Sequence, residues 1–358
     1  MTEGSDVTQA QDLKQQLEQG EFRSLIDVIL DGVGRLLQKL TRRAEPAAPW
    51  VGALAIALTI SSIGLAISLL SGGISRYGYR TLFLGGGLMF LYFLIPRSVN
   101  QRTLKTLHSQ LLDAVDTGDG LKRLRGWLTT LASRRWPILS GMLYLVVSLV
   151  YGMLFLEDID PPVDVVVVGL PLLFISGMMI YYLLLFLVLP GRLGRCHYRL
   201  NAWDPASTEV VAHLSGLFNY IAYMTAFLLA AIAFFAVSLV TFDVSNLILA
   251  IPTWFVLIVI FVASQRSLSR IIKRVKRESL IRIEAQMAAL RTGGDAPDKE
   301  TLETFMRIWD YRDRINGTRN SVLDLKRILN FVNTLLIPLL AFLVANRNDI
   351  LQLLGWTE

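Results

Sequence analysis

The fold class is decided by residues 165–189, which read VVVVGLPLLFISGMMIYYLLLFLVL. No Asp, Glu, Lys, Arg or His interrupts this run. A helix needs about 20 mostly apolar residues to cross the hydrocarbon core of a bilayer, so the run predicts a transmembrane helix. A strand interpretation fails because the run is too long and its apolar residues do not alternate with polar ones.

Similar runs recur along the chain. A further run, 329–345, contains Asn330, Asn333 and Pro338, so it either crosses the membrane or re-enters on the same side. The sequence therefore predicts an all-α, polytopic integral membrane protein with six or seven transmembrane helices. The other five predicted spans are 51–71, 81–96, 136–156, 217–240 and 247–264.

The composition excludes several classes of protein. Of 358 residues, 53% are hydrophobic and only 18% are charged, whereas a soluble domain carries about 25% charged residues. Disorder needs low hydrophobicity and is excluded as well. One cysteine and three histidines exclude a disulfide framework and leave little for structural zinc. We predict no catalytic residue, no metal site and no cofactor.

The distribution of basic residues predicts the orientation. Thirty-two of the 35 Lys and Arg residues lie in 1–50, 97–135, 190–216 and 265–328. Cytoplasmic loops carry such an excess, so the N-terminus is predicted to be cytoplasmic. The compact outer loops suit a bacterial inner (plasma) membrane. Basic residues beside a membrane set topology and touch anionic lipid, so the net charge of +6 indicates no nucleic-acid partner.

The organisation follows from the spans. The chain divides into a cytoplasmic amphipathic N-terminal segment (1–50), a six-helix transmembrane domain (51–264) with cytoplasmic helical loops (97–135 and 190–216), a cytoplasmic helical hairpin (265–328) and a C-terminal membrane segment with its tail (329–358).

The cytoplasmic segments read as amphipathic helices. In 21–43 the apolar residues share one face, and Asp27 and Asp31 fall on the opposite, polar face. Such a helix lies on the membrane surface, packs on its neighbours or binds a partner. The loop 97–135 reads as two helices, the first capped by Ser98.

The turn between the third and fourth spans is strongly acidic. The ordinary interpretation is a solvated outer turn, but repeated carboxylates around a homo-oligomer would form an acidic outer mouth for cations. The acidic residues are Glu157, Asp158, Asp160 and Asp164.

Some spans carry uncharged polar residues. These residues join helices by hydrogen bonds more often than they line a conduction path. The candidates for a polar lining are Ser148, Tyr151, Asn219, Tyr223 and Thr225.

One pair outside the spans could carry chemistry. Glu209 and His213 are four residues apart and share a helix face, which is weak support for catalysis. Three hypotheses follow. The first is a non-catalytic module that signals or assembles through its cytoplasmic helices. The second is a homo-oligomeric channel, and the third is a membrane enzyme or uncoupled transporter. The expected partners are the lipid bilayer, a second copy or a cytoplasmic protein.

Overall fold

The architecture is helical throughout the part of the chain that the structure, a computed structural model, describes. That part comprises residues 3–42, 45, 47–70, 76–115, 118–155, 163–201, 204–239, 244–291 and 299–318, with five isolated positions between 329 and 340. Short π-helical and 3₁₀ turns follow α4, and an isolated antiparallel bridge joins Val115 to Tyr198. The α-helices are α1 Glu3–Glu18, α2 Leu25–Thr41, α3 Pro49–Leu70, α4 Arg76–Thr106, α5 Gly118–Ala132, α6 Arg135–Phe155, α7 Val163–Leu193, α8 Glu209–Leu239, α9 Val244–Arg291 and α10 Lys299–Gly317.

Within the described residues, five helices are long and apolar enough to cross a membrane: α3, α4, α7, α8 and α9. A sixth apolar helix, α6, has a shorter described stretch, Arg135–Tyr151. The chain is therefore an all-α membrane protein, as the long apolar runs predict. The predicted segment 329–345 lies outside the described residues apart from the isolated positions.

Two helices form the centre of the bundle. Helix α4 packs on α2, α3, α7 and α8, and α7 packs on α3, α4, α5, α6 and α9. Their buried side chains belong to one continuous core with Leu13 of α1, Ile26 of α2 and Leu128 of α5. The amphipathic N-terminal helices are thus part of the same folded unit as the membrane helices.

Helices α6 and α7 pack closely against each other. An added Cβ at Gly177 would lie 2.6 Å from the Cβ of Tyr144 and 2.7 Å from the carbonyl oxygen of Ser140. The Ser140 hydroxyl also donates a 2.7 Å hydrogen bond to the Gly177 carbonyl. Small residues permit this approach of two backbones in an apolar environment.

One predicted helix boundary differs from the structure, and one long helix agrees with the sequence. Helix α4 runs through Pro96 and Ser98 without a break, so the prediction that Ser98 caps a new helix is wrong. The Ser98 hydroxyl instead contacts the Tyr220 hydroxyl of α8. Helix α9 runs unbroken for 48 residues, or about 72 Å, in agreement with its lack of glycine.

Candidate functional site at the basic end of the bundle

Most basic side chains of the bundle lie at one of its ends. Arg97 of α4 reaches α2, Arg125 of α5 reaches α1, and Arg274 of α9 reaches the segment that follows α7. We call this region the basic end. It contains the buried charges described below and is the candidate functional region.

Helix α2 enters the basic end through a capping box. Ser24 is the N-cap, and its hydroxyl accepts a hydrogen bond from the Asp27 backbone while the Asp27 carboxylate accepts one from the Ser24 backbone. The Leu25 N–H donates to the Tyr182 hydroxyl of α7 at 3.1 Å. The first turn of α2 is therefore satisfied by its own cap and by a membrane helix.

The Asp27 carboxylate is buried at the joint between α2 and α4, with the residue only 5% exposed. One of its oxygens, Oδ2, accepts hydrogen bonds from the Ser24 hydroxyl and from Asn100 Nδ2, each at 2.6 Å. The other, Oδ1, lies 3.6 Å from Arg97 Nε. A buried carboxylate is tolerated because it is paired and hydrogen-bonded in this way.

Arg97 extends the same network towards the surface. Its Nη2 donates to Asp31 Oδ1 at 2.9 Å, and Arg23 Nη1 donates to Asp31 Oδ2 at 3.3 Å. Asp27 and Asp31 are one helical turn apart, so α2 presents two carboxylates to one guanidinium. We call Asp27, Asp31, Arg97 and Asn100 the α2–α4 joint.

Helix α1 is attached by exposed ion pairs. Lys14 Nζ donates to Asp113 at 2.7 Å, and Asp12 lies 3.5 Å from Arg125. Exposed pairs of this kind each contribute about 0–1 kcal/mol. The burial of Leu13 in the common core therefore holds α1 more firmly than its charges do.

A second buried cluster closes the end of α7. Arg274 donates to the carbonyl oxygens of Gly194, Arg195 and Cys196 at 3.2 to 3.4 Å. These hydrogen bonds satisfy carbonyl groups that follow the helix and have no partner within it. The long helix α9 is thereby tied to the bundle at its basic end.

The thiol in this cluster is a structural group. Cys196 is buried, and burial raises the pKa of its thiol, as it raises the pKa of the Tyr198 phenol well above its ordinary value. The thiolate is the reactive form of cysteine, so burial suppresses its reactivity.

Beyond the bundle, α9 and α10 form a hairpin with its own small core. Ile283 and Met287 of α9 pack on Ile315 of α10. Lys276 Nζ donates to the carbonyl oxygens of Asn316 and Thr318 at 2.8 and 3.0 Å, and so satisfies the end of α10.

The outer face of α10 carries an apolar stripe. Leu302, Met306 and Trp309 follow one another at helical spacing and are 50%, 62% and 43% exposed. Glu303 and Asp310 are exposed beside the stripe on one flank. We call the three apolar residues the α10 stripe.

The outer face of α9 carries a basic row. Residues Arg266, Arg270, Lys273 and Arg277 are exposed and share one face of the helix. On the same face, nearer the membrane, the exposed residues are Phe255, Ile258 and Val262. The change from apolar to basic residues along one face matches a helix that passes from lipid tails to head groups.

The predicted Glu209–His213 pair forms on the surface of α8. His213 Nε2 lies 3.1 Å from Glu209 Oε1, and the Glu209 side chain is 84% exposed. Within the described part of the chain, no group of three His, Cys, Asp or Glu residues could hold a metal ion.

The predicted channel residues are divided between α6, α8 and a stretch that lies partly outside the described residues. Glu157, Asp158 and Asp160 lie outside the described residues, and Asp164, the second residue of α7, has no described side chain. Ser148 and the exposed Tyr151 are on α6, which packs on α7. The remaining polar candidates lie on α8, which packs on α4 and α9; they are Asn219, Tyr223 and Thr225.

Sequence reasoning missed the α2–α4 joint. It placed Asp27 and Asp31 on the polar face of α2. Asp31 is partly exposed there, but Asp27 is buried. A signal was available in the two carboxylates one turn apart on α2 and in Arg97 at the end of a predicted span. Their meeting depends on a contact between residues 66 positions apart.

No family model, curated protein or solved structure matches this chain.

Proposed function

We propose that this chain is a non-catalytic membrane protein that acts through the helices at its basic end as a signalling or assembly module. The observation that carries the proposal is the α10 stripe. Three large apolar side chains are exposed on a helix that stands beyond the membrane-crossing part of α9. Exposed apolar patches of this kind mark interaction sites.

The chemistry of the stripe indicates its partner. Glu303 and Asp310 flank the stripe on one side. On the other side, the Arg312 guanidinium lies 5.1 Å from the Trp309 ring centre. A complementary surface therefore has an apolar centre and a basic rim on the acidic side. The partner is a protein helix of that character, bound by an apolar face laid along α10.

The orientation is part of the same proposal. The basic end faces the cytoplasm of a bacterium, because basic residues are retained on that side of the inner membrane. A cysteine introduced at Asp243 should react with a membrane-impermeant thiol reagent from outside intact cells. A cysteine introduced at Lys273, which is exposed on α9, should react only after permeabilisation. The opposite pattern would reverse the orientation.

Photo-cross-linking in native membranes tests the docking surface. A photoreactive residue at Met306 should give a protein adduct, and the adduct should disappear when Glu303 and Asp310 are both changed to Lys. The matched control is Met142, an exposed position on the apolar helix α6, where charge reversal on α10 should change nothing.

The identity of the adduct completes the test. The cross-linked peptide should come from another protein or from a second, differently tagged copy, and it should carry an apolar face with a basic flank. An adduct confined to the same chain, or one insensitive to the charge reversal, would contradict the proposal.

A further inference from the structure

A cavity of about 650 Å³ opens between α2, the turn before α3, and α4. It is lined by Arg23, Asp31, Arg35, Gln38 and Arg97 and by the first residue of α3, Pro49. The cavity borders the α2–α4 joint but is a separate space, because Asp27 and Asn100 are not part of its wall.

The cavity wall has an excess of positive charge. Three guanidinium groups and one carboxylate, Asp31, line the wall. Asp31 is paired with both Arg97 and Arg23, and Arg97 also faces Asp27 behind the wall. The ion pairs therefore leave net positive charge around the empty space, and an anion placed there would balance it.

Arg97 has a donor left over for such an anion. The residue is only 8% exposed, and among the described residues its Nη1 atom finds no hydrogen-bond acceptor. A buried guanidinium N–H without a partner is destabilising, because it has lost its hydrogen bonds to water and has formed no others. Arginine presents its donors in a planar fork that matches carboxylate and phosphate oxygens.

The start of α3 favours the same ligand. Pro49 is the first residue of this 22-residue helix and lies in the cavity wall. The N–H groups of Val51 and Gly52 donate to the Ala48 carbonyl oxygen, and proline has no N–H. The helix therefore favours an anion through the partial positive charge of its N-terminal end.

The surroundings indicate where the anion comes from. Leu36 and Leu40 of α2 and Trp50 of α3 are exposed large apolar residues next to this wall. Tryptophan at the end of a span is typical of the head-group region of a membrane. The cavity therefore lies at the depth of lipid phosphates.

We propose that this cavity is a binding site for a phosphate-bearing anion, held by Arg97, Arg35 and Arg23. The chemistry is shared by the head group of an anionic phospholipid and by free phosphate. The inference is independent of the docking surface on α10, and the two can fail separately.

Two binding measurements on the purified full-length protein distinguish the sources. Native mass spectrometry compares adducts of phosphatidylglycerol with those of phosphatidylcholine, and equilibrium dialysis measures bound radiolabelled inorganic phosphate. Arg35→Gln removes a charge from the cavity wall, and because Arg35 is exposed the variant should fold. Lys39→Gln removes the same charge one turn along α2, where Lys39 is exposed and outside the wall.

Binding should weaken about tenfold in Arg35→Gln, as expected for the loss of one charge-assisted hydrogen bond. It should remain near the wild-type level in Lys39→Gln. Phosphatidylglycerol adducts that depend on Arg35 support the site with a lipid ligand, and phosphate binding that depends on Arg35 supports it with a soluble one. The proposal is overturned if neither probe binds, or if Arg35→Gln and Lys39→Gln behave alike.

Discussion

The α2–α4 joint and the α9–α10 hairpin are built in opposite ways, although both belong to the polar part of the chain. The joint buries two charged side chains and is continuous with the core that includes the membrane helices. The hairpin is held by a separate cluster of three buried residues and leaves a row of large apolar side chains exposed. The N-terminal helices are therefore structural parts of the bundle, whereas the hairpin leaves an apolar surface exposed.

A substitution in the α2–α4 joint should cause the largest loss of stability. Asp27→Ala removes the more deeply buried of the two carboxylates that face Arg97 and leaves the Asn100 amide without its acceptor. Breaking a buried pair in this way costs about 3–5 kcal/mol. The measurement is unfolding in mixed micelles, followed by circular dichroism. The control, Asp31→Ala, should cost less because the Asp31 side chain is 29% exposed. Equal losses in the two variants would show that burial does not distinguish these carboxylates.

A substitution at the α6–α7 contact tests the close packing of the apolar helices in the same folded unit. Gly177→Ala places a methyl group 2.6 Å from the Cβ of Tyr144, and such overpacking costs about 1–3 kcal/mol. Gly169→Ala is a matched control on α7, where an added Cβ meets no described atom within 4 Å. Thermal unfolding should separate the two variants, and a Gly177→Ala protein as stable as the control would contradict the close packing.

A substitution in the α9–α10 hairpin should change the local stability of α10 rather than the stability of the whole protein. Lys276→Met removes the donor to two carbonyl groups at the end of α10 and should weaken the attachment of α10 by about 1.5 kcal/mol. Hydrogen exchange should become faster in α10 while exchange in α2 and α4 is unchanged. Lys273→Met, which removes an exposed charge on α9, is the control. Faster exchange in both regions would mean that the hairpin and the bundle unfold together.

The smallest expected effect is the pH dependence of the melting temperature. Burial raises the pKa of the Cys196 thiol above its ordinary value of 9.0, so the folded state holds this proton more tightly than the unfolded state. The stabilisation is complete below the unfolded pKa and decreases as the pH rises above about 9. The melting temperature should fall in that range, and less steeply in Cys196→Ser. Identical slopes, with rapid alkylation of Cys196 at neutral pH, would contradict its burial.

The candidate site was only partly predictable, as α2 illustrates. Its apolar periodicity and its start near Ser24 are local properties, and the structure has an amphipathic helix there with Ser24 as its cap. Periodicity separates two faces but does not show which polar residue meets another helix. Asp27 and Lys39 look alike on that face, yet Asp27 is buried and Lys39 is exposed.

Helix α4 is a case in which the predicted end of a helix was wrong. The predicted span 81–96 ended at Pro96, and a new helix was predicted to begin at Ser98. The packing of α4 against α2 and α8 supports a continuous helix through this point instead.

The all-α membrane class and the positions of the apolar helices follow from the local sequence. The reason is local: in a membrane each helix must satisfy its own backbone and present apolar side chains along its whole length. Tertiary contacts bring Arg97 to Asp27 and Asp31 and form the positively charged cavity beside them. Tertiary packing also leaves the α10 stripe exposed. These features depend on contacts between distant segments, and no local period encodes them.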